Sequence, residues 1–153
     1  MSDIQSLVEA SGKLTTLFGG WPSLHDAEVI DLHFWRGDVK PGDWNDANVF
    51  PVLTMKIRIL EATQPGASHA GNDVIAIFRF HDVTDFKMDG FNHCNQIVGL
   101  TIDTQARGKF TDGTDLPPYL VVEFERGFGM SSFFRCLGVE VVQAERCTVD
   151  TKP

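Results

Sequence analysis

From Glu28 onward apolar side chains recur at every second position, and no other feature restricts the fold of this chain as strongly. Successive residues of a strand point to opposite faces, so a period of two buries one face of a sheet. Leu53, Met55, Ile57 and Ile59 alternate with Thr54, Lys56 and Arg58 in the clearest run. Ahead of it Ile30, Leu32 and Phe34 alternate with Asp31, His33 and Trp35. Val74, Ala76, Phe78 and Phe80 make a third strand, with Ile75 and Ile77 predicting burial on both faces. Thr84, Phe86 and Met88 make a short fourth; Ile97, Val98, Leu100 and Ile102 make a fifth, weakened by Gly99. Tyr119 to Glu125 is a sixth, with Leu120, Val122 and Phe124 inward and Glu123 and Glu125 outward. Arg126-Gly127-Phe128-Gly129 has the residues of a tight turn and returns the chain as a seventh strand, Ser132 to Cys136. An eighth, Val139 to Glu145, sets Val139, Val141 and Gln143 on one side.

Before Glu28 the period is helical. Ile4, Leu7 and Val8, then Leu14, Leu17 and Phe18, share a face at spacings of three and four. Gly12 interrupts, and Ser11 is placed to start a second turn, so two short helices or one bent helix fit equally. Gly19-Gly20-Trp21-Pro22 ends the region. Loops are predicted at Gly37 to Asn48, Thr63 to Asn72 and Gly108 to Pro118, and none is long enough to separate domains. No repeat of fixed period is visible. The expected fold is α+β, mostly β: an antiparallel sheet, sandwich or partial barrel, of about eight strands with a short N-terminal helical segment. Residues 1–153 are read as a single domain.

Composition narrows the function. The 42 % hydrophobic content and 12 Phe are too high for a disordered chain. A net charge of −8 disfavours a nucleic-acid partner, because phosphates are bound largely through Lys and Arg. No apolar run reaches the roughly 18 residues of a membrane span, and the N-terminal residues lack the pattern of a secretion signal. Cys94, Cys136 and Cys147 are odd in number and irregularly spaced, which predicts free thiols and a cytoplasmic location.

Two segments concentrate reactive groups. Trp21-Pro22-Ser23-Leu24-His25-Asp26-Ala27-Glu28 sets an imidazole beside two carboxylates, the makings of a metal half-site or an acid–base pair. If the segment is extended, His25 and Asp26 point to opposite faces, and the structural reading has both bonding the backbone of the helix-to-strand turn. Gly90-Phe91-Asn92-His93-Cys94-Asn95 offers a thiol and an imidazole, but neighbours in sequence rarely hold a base against a nucleophile. Its structural reading is a loop whose Asn side chains bond nearby backbone, with Phe91 plugged into the core. His33, His69 and His81 are scattered, and the sequence has no HExxH, CxxC or Ser-nucleophile elbow and no phosphate-binding Gly-rich loop before a helix. The expectation is no enzyme, no cofactor and no metal. Asp43, Trp44 and Asp46 place an aromatic between carboxylates in a predicted loop and are the candidate partner contacts.

The order of these motifs resembles a known family. Leu17-Phe18-Gly19-Gly20-Trp21-Pro22-Ser23-Leu24-His25-Asp26-Ala27-Glu28-Val29 resembles the N-terminal signature of the immunity protein 50 family, predicted bacterial immunity proteins of polymorphic toxin systems. Gly90-Phe91-Asn92-His93-Cys94-Asn95-Gln96-Ile97 is similar to a second motif, in which Cys94 stands where Gln is common. Gly129-Met130-Ser131-Ser132-Phe133-Phe134-Arg135-Cys136 with Val139-Glu140-Val141-Val142 resembles the C-terminal strand pair. The resemblance implies a non-enzymatic protein that neutralises a cognate toxin. The positions that match are Trp21, Pro22, His25, Asp26, Phe91, Asn92, Asn95 and Cys136, and they look like fold determinants rather than contacts. A basic, nuclease-like effector suits the acidic balance. The rival readings are a small metal-dependent or hydrolytic enzyme using His25, Asp26 and Glu28, and a ligand-binding or structural β domain.

Overall fold

A computed structural model of the chain describes residues 3–38, 42, 49–64 and 73–147. The N-terminal segment is two pieces, a 3-10 turn at Ile4–Leu7 and a helix, α1, at Gly12–Phe18. Gly19, at φ 75°, closes α1 in the left-handed conformation, whereas the Ser11 hydroxyl makes no capping bond. Eight strands follow among the described residues: β1 Glu28–Gly37, β2 Val49–Ile59, β3 Val74–His81, β4 Thr84–Asp89, β5 Ile97–Gln105, β6 Tyr119–Arg126, β7 Ser131–Cys136 and β8 Gly138–Arg146. They form two antiparallel four-stranded sheets, ordered β1-β2-β3-β8 and β4-β7-β6-β5.

The sheets are joined at both sides. Asp82 (φ 56°) and Val83 carry β3 over into β4, and Leu137 alone carries β7 into β8. The Leu137 amide donates to the His81 carbonyl at 2.9 Å, so these two corners are paired. Opposite them the start of β1 pairs with the start of β5: Ile97 N–H donates to the Ala27 carbonyl and Val29 N–H to the Asn95 carbonyl. Between sandwich and partial barrel the molecule is thus intermediate. The path also repeats. Exchanging β1-β2-β3-β4 for β5-β6-β7-β8 maps one strand order onto the other, a two-fold pattern with no counterpart in the sequence.

Three bulges or breaks alter the expected alternation. In β1 Val29 faces Ile57 and Asp31 faces Lys56, which leaves Ile30 as the extra residue and exposes it. The inward set is therefore Val29, Leu32 and Phe34 rather than Ile30, Leu32 and Phe34. In β8 Val141 faces Phe78 and Gln143 faces Ile77, so Val142 is extra and the inward residue after Val141 is Ala144, not Gln143. In β5 Val98 is the extra residue and is exposed. Ile75 and Ile77, expected to be buried, are half-buried on the outer face.

Between the sheets Phe78 and Phe80 of β3 meet Phe124 of β6 and Phe134 of β7, with Phe80 and Phe134 edge-to-face at 4.9 Å. These rings are fully buried, and each contributes several kcal/mol, on the order of the 3–5 lost on truncating a core Phe. The N-terminal segment covers the outer edge of β8. Glu9 N–H donates to the Val139 carbonyl, Val141 N–H donates back to Glu9, and Lys13 Nζ reaches the Val142 carbonyl at 2.9 Å. No described helix is long and apolar enough to cross a membrane.

Candidate functional site

The first motif is a turn held mainly by groups outside it. Trp21 stands edge-on to Phe78 at 6.2 Å, and Pro22 and Leu24 are buried. The Gln64 side chain clamps Ser23 from both sides: its Oε1 accepts from Ser23 N–H at 2.8 Å and its Nε2 donates to the Ser23 carbonyl at 2.9 Å. Asp26 sits at φ 62°, a left-handed conformation that Asp tolerates better than most residues. That bend places His25 Nδ1 3.2 Å from Asp26 Oδ2, with the two side chains 59 % and 44 % exposed. The expected bonds from His25 and Asp26 to the turn backbone are not made. Those side chains face solvent and each other, while Gln64 and the Asp26 N–H bond to the Ile97 carbonyl hold the turn. Gln64 lies 41 residues from Ser23, and nothing local marks it.

The second motif fits its structural reading except at Phe91. Asn95, 4 % exposed, accepts from Asn92 N–H at 2.6 Å and donates to the Asn92 carbonyl at 2.8 Å. Its own N–H donates to Glu28 Oε2 at 3.3 Å, tying this loop to the first motif. Phe91 is 41 % exposed rather than plugged into the core, because the loop is anchored by Asn95 and leaves the ring outside. His93 is exposed and, among the described residues, bonds only Asn92; among the same residues no base stands against Cys94.

The third motif packs on the second. A methyl group on Gly129 would overlap the Cys94 carbonyl oxygen and lie 2.6 Å from Asn95 Cα; one on Gly127 would lie 2.9 Å from the Gln96 oxygen. Only hydrogen at these positions lets the turn press against residues 94–97. Ser132 is buried and donates to the Lys87 carbonyl at 2.8 Å. Cys136 is fully buried, and burial pushes its thiol up to about 12. All three cysteines are free.

The clamped turn presents Phe128, 89 % exposed, at its tip. Beside it runs the outer face of β4-β7-β6-β5. Asp89 pairs with Arg126, and Arg135 with Asp85, which leaves Asp103, Glu123 and Glu125 without a cation among the described residues. Phe133 stands among them under Arg135, in a hollow of about 190 Å³ with Lys87, Asp89 and Glu123. On the loop before β6, the Thr114 hydroxyl and amide hold the Asp112 carboxyl below its ordinary range. The outer face of the other sheet carries a groove of about 390 Å³ lined by His33, Trp35, Val52, Thr54, Arg79 and His81. Among the described residues no three His, Cys, Asp or Glu converge as metal ligands. Asp43, Trp44 and Asp46, the contacts expected from the sequence, lie outside the described residues, as does His69. Compared with known protein families, curated proteins and solved structures, the chain has no match.

Proposed function

We propose that this chain is an immunity protein that works inside the cell, binding a cognate toxin and covering its active surface without catalysis. Phe128 is the observation that carries the reading. A large apolar ring held almost wholly in water by an immobilised backbone is poor economy for an isolated domain, whereas aromatic anchors of this kind dominate protein interfaces. The outer face of the same sheet complements a basic partner: Glu123 and Glu125 on β6 and Asp103 on β5 supply negative charge that has no cation among the described residues, which steers encounter. The resemblance of the three sequence motifs to immunity proteins supports the same reading. Trp21, Pro22, Asn95 and Cys136 then belong to the scaffold, and Asp43, Trp44 and Asp46 remain proposed additional contacts.

The test is co-expression with the product of the adjacent gene, pull-down, and titration of the purified pair. Phe128→Ser is expected to weaken binding by about 10- to 100-fold with an unchanged thermal melt. Full affinity in that variant rejects the anchor. Absence of any complex, together with turnover lost in His25→Ala, rejects the reading in favour of an enzyme.

A further inference from the structure

We infer that the outer face of β1-β2-β3 is a second binding site, for a small planar ring bearing a carboxylate or a phosphate. Strand register builds it in two rows. Trp35, Val52 and His81 face one another across β1, β2 and β3, and His33, Thr54 and Arg79 form the next row, continued by Glu140 on β8. Strands lie about 4.8 Å apart, so the β1 and β3 side chains stand about 10 Å from each other as walls over a floor of Val52 and Thr54. That separation admits one ring. The groove's volume of about 390 Å³ falls within the range of ligand sites.

The polar groups are arranged rather than scattered. His81 Nε2 donates to Glu140 Oε1 at 2.7 Å, which fixes the imidazole as a wall. Arg79 touches the same carboxylate only at 3.8 Å through Nη1, so most of its five donors have no protein partner among the described residues. The Thr54 hydroxyl and the His33 ring likewise make no hydrogen bond among the described residues. Lys56, which faces Asp31 of β1, follows Thr54 on the same face of β2, so the hydroxyl lies between Arg79 and a second cation, in a chain whose net charge is −8. An oxyanion bonded to Arg79 and Thr54 places its ring against Val52 and the Trp35 indole, whose other neighbour is Phe50 at 5.8 Å. The apolar wall selects the ring and the guanidinium selects the charge.

The site is on the sheet opposite Phe128 and Glu123, so it is independent of the anchor and acidic face proposed above. Isothermal titration with 2-naphthoate and with adenosine monophosphate, against 2-naphthalenemethanol and adenosine, tests it and separates carboxylate from phosphate. At least one anion is expected to bind saturably, at least about tenfold more tightly than its neutral counterpart. Arg79→Gln and Trp35→Leu are each expected to cost about tenfold, and Phe128→Ser nothing. Amide shift changes on binding are expected at residues 33–35, 52–54 and 79–81. No saturable anion binding, equal binding of the neutral rings, or shifts elsewhere overturn the inference; mapping the shifts on the unsubstituted protein keeps it testable if either variant misfolds.

Discussion

At the scale of single residues, exposure separates two side chains that look alike in the sequence. His25 and Asn95 both sit in motifs rich in polar groups, yet among the described residues the His25 ring reaches only Asp26 at the surface, whereas Asn95 closes two bonds to Asn92 in the interior. An exposed pair contributes little, because water competes for both partners. A buried amide carries the full desolvation cost of the groups it satisfies. Asn95→Ala is therefore expected to lose about 1–3 kcal/mol in chemical denaturation, and His25→Ala less than about 0.5. Equal losses would contradict the assignment. Asparagine at position 95 was readable as a loop-bonding residue because its partner is three residues away. The Gln64 clamp on Ser23 was not, since hydrogen bonds between distant loops follow from the completed fold.

At the scale of elements, alternation made all eight strands legible, with Leu53 to Ile59 and Leu120 to Phe124 facing inward as their period demands. It failed at Ile30 and Gln143, where a bulge shifts the phase by one residue. A bulge is set by the partner strand's register, which the bulged strand's own residues do not encode. Which sheet a strand joins was equally hidden, because strands of both sheets alternate in the same way. The β6–β7 turn shows what an element demands of its backbone. Gly129→Ala forces a methyl into the Cys94 carbonyl and is expected to cost more than about 3 kcal/mol or to abolish folding. Gly99→Ala, where an added methyl meets nothing within 4 Å, is expected to be neutral or mildly stabilising. Two similar denaturation midpoints would show that the turn does not press on residues 94–97.

At the scale of the whole molecule, the buried thiol of Cys136 links the core to pH. Its ordinary value is 9.0 and burial raises it to about 12, so the folded state holds the proton more tightly than the unfolded one. The resulting stability is complete below the unfolded pKa and is lost as pH rises from about 9 towards 12. Between about pH 8 and pH 10.5 the melting temperature is expected to fall less in Cys136→Ala than in the wild type. Parallel profiles would refute this. The groove was illegible in the sequence for a reason of the same scale: it gathers outward residues from three strands, and outward positions have no pattern of their own. Of the acidic face, Glu123 and Glu125 were readable because they alternate on one strand, whereas Asp103 on the next strand was not.

The repeated strand path carries a consequence for how such a protein diverges. Both sheets contribute inward rings to a shared interior, which constrains them jointly, but their outer faces look in opposite directions and share no side chains. Substitutions can accumulate on one exterior without disturbing the other. One scaffold can thus carry the proposed small-molecule groove on its β1-side exterior while the opposite exterior is free to change with whatever partner it meets.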